Sequence, residues 1–287
     1  DLSLLLQALT SGLLSSGLYA LVAVGLALAI GVIGIVNFAH GEFFMIGAFL
    51  TYQLAISFGF DPLLSLLIVA PAMFLLGAVL YRTTIHYVLG APELNQMLLT
   101  FGLGIILQNL ALLVWGGDPR TIAAVPYRSL SFRIGDVSLG VVLLGSFLVS
   151  LLLVGGLYWL LLHTRTGRGM RAVAQNRIGA NLVGLRVDRT YLVTFALSAA
   201  LAGIGGVMIA VIQSPTPVIG LNFTLKAFAI VVVAGLGNVR GIIWASVLVA
   251  LTESLVANLV PNGDSLRNAV FFALIFVVLI VRGRRVA

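Results

Sequence analysis

The sequence predicts an all-α, polytopic membrane protein, and three observations support this fold class. Of the 287 residues, 61% are hydrophobic and only 9% are charged, whereas a soluble globular domain carries about 25% charged residues. The mean hydropathy of +1.16 is too high for a chain that must cover a water-facing surface. Uncharged runs of the length that a spanning helix needs, about 20 residues, follow one another along the chain. In lipid, helices satisfy the backbone groups of such runs internally.

The apolar runs predict the membrane elements in chain order. Three later runs are less regular than the rest, because 227–239 and 268–281 are short and 241–260 contains Glu253. We therefore expect eight or nine membrane elements, some of them broken or incomplete, in a single transmembrane domain over 1–287. The six runs of full length are 12–36, 43–60, 62–81, 94–117, 137–162 and 191–213.

The arginines predict the side of the membrane on which each loop lies. The loop 163–189 carries six arginines against one acid, Asp188, and the positive-inside rule makes it cytoplasmic. Counting outward from this loop, Arg82 and the basic tail 282–285 also fall inside, whereas the balanced charges of 118–136 lie outside. Nine crossings would then put the N-terminus outside, and eight would put it inside.

Two stretches of the sequence resemble broken helices. In the first, glycines and Asn37 interrupt an apolar stretch between positions 31 and 42, and in the second, prolines and glycines interrupt 214–241. Interruptions in both halves of a chain point to a transporter's midplane site and to inverted repeats, but ordinary turns between spans have a similar composition. The candidates for the translocation path or the helix breaks are Asn37, His40, Gly41, Glu42, Gly220, Lys226 and Gly237.

Ionisable residues inside apolar runs are costly in lipid and are usually functional. His40 and Glu42 flank Gly41 and could line a translocation path. We favour a structural role for both, near the cytoplasmic interface, where they would tie helix ends together. Lys226 and Glu253 could each pair with a neighbour or lie at a membrane boundary, and the sequence leaves these alternatives open.

The arginine-rich loop predicts a short helix, roughly residues 168–183, that docks a partner. An apolar residue recurs every four positions from Met170 to Leu182 and would form one stripe. Gly184 predicts the end of this helix, and Asp188 is placed to cap the next span. The alternative is a helix that lies on anionic lipid headgroups. The stripe is thin and has no Trp or Phe to insert, so a groove in a protein suits it better.

Several motifs in this chain resemble a known family. The loop reads Thr-Gly-Arg-Gly-Met-Arg-Ala-Val-Ala-Gln-Asn over 166–176 and Ala-Asn-Leu-Val-Gly over 180–184. Asn-Phe-Ala-His-Gly-Glu stands at 37–42, and Leu-Lys-Ala-Phe-Ala stands at 225–229. In this order the motifs resemble branched-chain amino-acid ABC importer permeases of the LivH type, and the resemblance covers nearly the whole chain.

The resemblance implies that the cytoplasmic helix sits in a groove on an ATPase subunit and transmits nucleotide-driven closure to the membrane helices. It further implies a second related permease, two ABC ATPase subunits and an extracytoplasmic solute-binding protein, in the cytoplasmic membrane of a bacterium or archaeon. Hydrophobic amino acids are the implied solutes, and urea and short amides stay open because related permeases handle them. The residues expected at the ATPase contact are Arg165, Gly167, Arg168, Met170, Arg171, Ala172, Gln175, Asn176, Arg177, Ala180 and Gly184.

Energy coupling is expected to come from other chains. The only lysine, Lys226, lies in no phosphate loop of the Gly-x-x-x-x-Gly-Lys-Ser/Thr type. ATP and Mg would therefore be bound by partner subunits, and we expect this chain to bind no cofactor. An ion-coupled secondary transporter, the second hypothesis, would need midplane carboxylates, and only Glu42 and Glu253 lie within apolar segments.

Other classes of function are disfavoured by composition. The net charge is +7, and the basic residues lie at the ends of apolar runs without interleaved aromatic residues. This distribution indicates membrane topology and not nucleic-acid binding. The chain has no cysteine, and its three histidines have no metal-ligand spacing. It also lacks a clustered nucleophile and base, so we expect a transport subunit without catalytic residues.

Overall fold

The computed structural model describes residues 2–122, 125, 127–235, 238–260 and 263–283, and most of them are helical. A 3₁₀ turn at Ile85–Val88 follows α3, and a short hairpin of β1 and β2 precedes α5. The helices and strands are α1 (Leu2–Ile33), α2 (His40–Phe58), α3 (Leu66–Thr83), α4 (Glu93–Trp115), β1 (Ser131–Ile134), β2 (Val137–Gly140), α5 (Val141–His163), α6 (Arg165–Gln175), α7 (Arg177–Leu182), α8 (Val187–Ile212), α9 (Ile219–Ala234), α10 (Val239–Leu259) and α11 (Gly263–Gly283).

Seven of the described helices are long and apolar enough to cross a membrane, namely α1, α2, α3, α4, α5, α8 and α10. Two apolar helices, α9 and the part of α11 at Ala269–Val278, are shorter. The predicted all-α, multi-pass architecture with some broken helices is confirmed. The expected number of eight or nine membrane elements stays a prediction, because seven of the described helices meet both the length and the hydropathy of a full span.

The centre of the bundle is formed by α8 and α1, the most enclosed of the spanning helices. α8 packs against α2 and α3, and α1 packs against α10, α8 and α5. Small residues allow this close packing: a Cβ atom on Gly206 would collide with the backbone of Phe44 and Ala48, and one on Gly47 would collide with Gly203. Lipid supplies no hydrophobic drive between helices, so such close backbone contact is a main source of their association.

Each of the two central helices is followed by a non-helical segment and then by a helix that begins inside the bundle. α1 ends at Ile33, and after a non-helical stretch α2 begins at His40. α8 ends at Ile212, and after a similar stretch α9 begins at Ile219. Both interruptions predicted from the sequence are therefore present.

The two central helices run in opposite directions. Gly25 of α1 packs against Ser198 and Leu201 of α8, whereas Val22, earlier in α1, packs against Gly205, later in α8. The α1–α2 and α8–α9 units are thus inverted relative to one another, as the interruptions in the two halves of the sequence indicated.

The start of α1 lies at the end of the bundle opposite to the arginine-rich segment. The Gln7 side chain donates a hydrogen bond to Ser138 O at 2.9 Å and accepts one from Ser138 N at 2.8 Å. Ser138 belongs to β2, which leads into the first residue of α5, whereas α6 follows the last residue of α5. With the arginine-rich loop inside, the N-terminus of α1 is outside, which agrees with the alternative of nine crossings.

The hairpin end of the bundle carries a second link between loops. The Tyr127 hydroxyl lies 2.9 and 3.0 Å from the two carboxylate oxygens of Asp61, in the connection between α2 and α3. Burial, followed by this hydrogen bond to Asp61, raises the pKa of Tyr127 to about 12. Tyr127 therefore stays a neutral donor at physiological pH, and the loop that precedes β1 is fastened to the α2–α3 connection.

Candidate translocation and coupling sites

The arginine-rich segment forms two helices, so the single helix predicted over 168–183 is wrong. α6 ends at Gln175 because the backbone of Asn176 is extended, with φ −155° and ψ 99°. The Asn176 side chain then accepts a hydrogen bond from Gly179 N at 2.8 Å and caps α7. Asn is among the strongest N-cap residues. Its capping bond competes with continuation of the helix, and helical periodicity alone cannot reveal that competition.

The apolar stripe predicted along this segment is also wrong, because its members lie in different environments. Met170 of α6 is fully buried, together with Val173 one turn later. On α7, by contrast, Ile178 is 73% exposed and Leu182 is 83% exposed. α6 therefore packs its apolar side on the chain's own helices α5, α8 and α1, and α7 leaves Ile178 and Leu182 uncovered.

The residues expected at the ATPase contact divide in the same way. Gly167, Met170 and Ala180 are buried, and a Cβ atom on Gly167 would collide with the backbone of Leu160 and Leu161 at the end of α5. Ala172 is partly buried. The remaining members are exposed and could meet a partner: Arg165, Arg168, Arg171, Gln175, Asn176, Arg177 and Gly184.

The end of this segment differs from the expectation at Asp188. Gly184 has a φ of +85°, and α7 ends at Leu182, so the predicted helix stop is confirmed. Asp188, however, is not the cap of α8, because it lies within the first turn of that helix. Its carboxylate accepts a hydrogen bond from Tyr81 at 2.7 Å and lies 2.8 Å from His86 Nδ1. Asp188 therefore ties the end of α3 to the start of α8.

The first predicted helix break brings His40 deep into the bundle. His40 is fully buried, its Nε2 lies 2.9 Å from Val22 O, and its Nδ1 lies 3.4 Å from Ser198 Oγ. Val22 and Ser198 are interior residues of α1 and α8. The expected position near the cytoplasmic interface is therefore wrong, and His40 joins two central helices far from their ends. Asn37, also buried, accepts a hydrogen bond from Ala39 N at 3.1 Å.

The starts of α2 and α9 meet next to His40. A Cβ atom on Gly41 would collide with the carbonyl of Gly220, and one on Gly220 would approach the Glu42 carboxylate. Thr224 closes this junction, because its Oγ1 accepts a hydrogen bond from Gly41 N at 2.8 Å. The structure thus brings five of the predicted path residues together: Asn37, His40, Gly41, Glu42 and Gly220.

The Glu42 carboxylate lies at the amino end of a helix within the bundle. Glu42 is only 4% exposed, and its Oε2 has no hydrogen-bond partner among the residues that the structure describes. Gly220, beside this carboxylate, belongs to the first turn of α9. Glu42 is therefore placed deep in the bundle, where the sequence did not place it.

Lys226 lies apart from this junction in a second buried cluster. Its Nζ donates hydrogen bonds to Glu253 Oε2 and to the Tyr19 hydroxyl, both at 2.9 Å. Tyr19 in turn donates to Glu253 Oε2 at 2.6 Å, and its ring centroid lies 4.8 Å from the ammonium. Lys226 and Glu253 are therefore partners of one another, which was one of the alternatives left open. Gly237, the last predicted path residue, lies outside the described residues.

Sequence reasoning did not find Tyr19 or Thr224. Neither residue belongs to a motif quoted above, although Thr224 directly precedes the motif at 225–229. Their partners are far along the chain: Thr224 bonds to Gly41, and Tyr19 bonds to Glu253 and Lys226. Only packing of α1, α2, α9 and α10 makes these pairs.

Comparisons with known proteins identify the family. The family model described as "Branched-chain amino acid transport system / permease component" matches residues 8–279 of this chain. The high-affinity branched-chain amino acid transport system permease protein BraD of Pseudomonas aeruginosa is 31% identical over 96% of this chain and 94% of its own length. LivH of Salmonella typhimurium, a permease protein of the same description, is 29% identical over 96% of this chain and 93% of its own length. LivM of the same organism, also a permease protein of that description, is 30% identical over 83% of this chain and 61% of its own length. No solved structure matches. This chain, with its inverted pair of broken helices, belongs to the permease component family of branched-chain amino acid transport systems.

Proposed function

We propose that this chain is a membrane-spanning subunit of an ATP-driven importer for branched-chain or other hydrophobic amino acids. Its family and its 31% identity to BraD support the solute class. The structural observation that carries a transport role is the meeting of α2 and α9 at Gly41 and Gly220, deep in the bundle. Transporters build their midplane sites from the starts of such discontinuous helices.

The proposal assigns the energy-coupling chemistry to partner chains. Similarity to both LivH and LivM supports a pair of related permeases as the membrane core. Two ABC ATPase subunits would bind ATP and Mg, and an extracytoplasmic protein would deliver the solute. The chain itself would bind no cofactor and catalyse no reaction, and the complex would lie in a bacterial or archaeal cytoplasmic membrane.

We place the ATPase contact on a docking surface formed by Ile178, Leu182 and Val183 of the α7 region, together with Arg168 and Arg171 of the preceding helix α6. The three apolar side chains are 73%, 83% and 78% exposed. Exposed apolar side chains in a segment with exposed basic residues fit the groove of a protein partner. α6, which is packed on the membrane helices, would carry a displacement of α7 into the bundle.

Reconstitution tests this function. The chain would be assembled with its related permease, ATPases and solute-binding protein in liposomes, and uptake of labelled leucine would be measured. Uptake should require ATP and should not respond to a proton gradient, and an inactive ATPase variant is the control. Gradient-driven uptake without ATP would overturn the importer assignment. Uptake of urea or a short amide in place of leucine would overturn the solute class alone.

A further inference from the structure

A cavity of about 380 Å³ lies beside the Lys226–Glu253 pair. It is bounded by α1, α5, α8 and α9, in the half of the bundle that is nearer to the β1–β2 hairpin, because its walls include Leu143 at the start of α5 and Gln213 at the end of α8. Cavities that bind small molecules measure about 300–1,000 Å³. This cavity is therefore large enough for a small solute.

The walls of the cavity combine one charge with polar and aliphatic groups. Lys226 is the one ionic side chain among its described lining residues, and Ser15, Asn222 and Gln213 supply neutral polar groups. Ser146 and Tyr19 add hydroxyl groups, and the other lining side chains are aliphatic or aromatic. An ammonium with nearby amide and hydroxyl groups suits a carboxylate, and an aliphatic wall suits an apolar side chain. An aliphatic α-amino acid has both parts.

We propose that this cavity is a transit site for an aliphatic amino acid and that Lys226 binds the solute's α-carboxylate. The inference rests on the proposed function and adds a place and a recognition residue to it. Between solutes, Tyr19 and Glu253 hold the ammonium. An incoming carboxylate replaces the Tyr19 hydroxyl as an acceptor, and that hydroxyl keeps its own hydrogen bond to Glu253.

Two features argue against a purely structural ion pair. The Lys226 side chain is 13% exposed and borders the cavity, whereas the Glu253 side chain is 5% exposed. The Oε1 atom of Glu253 is buried and has no hydrogen-bond partner among the described residues. Buried pairs add little to stability even when they are fully satisfied, so an incompletely satisfied one in lipid points to a functional role.

A unique thiol tests the site by its chemical reactivity. The chain contains no cysteine, so Asn222→Cys places one reactive group at the cavity, in a complex whose partners are also cysteine-free. An anionic methanethiosulfonate should modify this thiol about tenfold faster than a cationic one, and Lys226→Met should remove that preference. L-leucine should slow the modification, whereas L-leucinamide, which has no carboxylate, should not. The proposal would be overturned if the thiol in Lys226→Met still reacted faster with the anionic reagent, or if L-leucine and L-leucinamide slowed the modification equally.

Transport by paired variants separates recognition from structure. The double variant Lys226→Met with Glu253→Gln leaves no unpaired buried charge, so it should fold and co-purify with its partner subunits. Leucine uptake should fall about tenfold, as expected for loss of a hydrogen bond to a charged group. If the double variant takes up leucine at the wild-type rate, the Lys226–Glu253 pair has only a structural role. If the wild-type complex shows no ATP-driven uptake, the proposed function fails, while the thiol chemistry still decides the site.

Discussion

At the scale of single residues, the junction of α2 and α9 depends on positions that have no room for a side chain. The chain has 32 glycines, and most of them look alike in the sequence. Gly41 is different because its Cβ position is occupied by the Gly220 carbonyl and Thr224 Oγ1. Gly31, in α1, has no atom within 4 Å of its Cβ position. The environment, and not the residue type, decides which glycine is required.

The first prediction concerns this junction. Gly41→Ala should lower the free energy of unfolding by about 1–3 kcal/mol, because overpacking forces the two helices apart. Gly31→Ala, the matched control, should be neutral or slightly stabilising, since Ala is the better helix former. Thermal unfolding of both variants in detergent measures the difference. Equal midpoints would mean that α2 and α9 do not meet at Gly41.

At the scale of elements, the arginine-rich segment shows how a capping residue can divide a helix. Thr164 caps α6 through a hydrogen bond from Gly167 N at 3.0 Å, and Asn176 caps α7 through one from Gly179 N at 2.8 Å. The two capped helices therefore have different roles. α6 is anchored by buried residues such as Met170, and α7 presents the docking surface.

The second prediction tests that docking surface. Leu182→Glu should weaken co-purification of the ATPases by tenfold or more, because an unpaired carboxylate that is buried in a partner's groove costs several kcal/mol. Arg168→Glu or Arg171→Glu should uncouple ATP hydrolysis from uptake while the protein stays inserted.

Leu94→Glu is the matched control for this surface. Leu94 is 65% exposed in the first turn of α4, at the same end of the bundle, and a helix tolerates an acid in its first turn. This variant should keep both ATPase binding and uptake. The assignment of the docking surface is wrong if the Leu182 and Arg variants also retain both activities.

At the scale of the whole molecule, two inverted units meet in the centre, each made of a long helix, a non-helical segment and a shorter helix. α1 and α8 run in opposite directions, and the helices that follow them, α2 and α9, start side by side at Gly41 and Gly220. The hydrogen bonds between Gln7 and Ser138 hold the start of α1 beside the hairpin. The sidedness of the protein follows from this arrangement and from the arginines together.

The third prediction is the sidedness itself. In the cysteine-free chain, single cysteines at Leu2 and Phe132, both well exposed, should react with an impermeant maleimide on intact spheroplasts. A cysteine at Gln175, exposed on α6, should react only after permeabilisation. The unsubstituted chain is the control for background labelling. A Leu2 cysteine that reacts only after permeabilisation would put the N-terminus inside and support eight crossings.

Several features of this protein are determined by the sequence alone. Its composition and apolar runs predicted an all-α, multi-pass protein, and glycines, prolines and Asn37 indicated both helix breaks. The motifs at 37–42 and 166–176 indicated the family. Such features are readable because hydropathy and backbone preferences act on each segment separately, whatever the segment packs against.

Only the tertiary structure decided which distant residues meet. His40 with Val22, Gly41 with Gly220, and Lys226 with Glu253 each join separate segments of the chain, and packing of the helices makes all three pairs. The arginine-rich segment needed the structure for the same reason: Met170 is buried because α5 and α8 cover α6, while Leu182, equally apolar, is left exposed. Burial depends on what covers a side chain, and no periodicity within a segment carries that information.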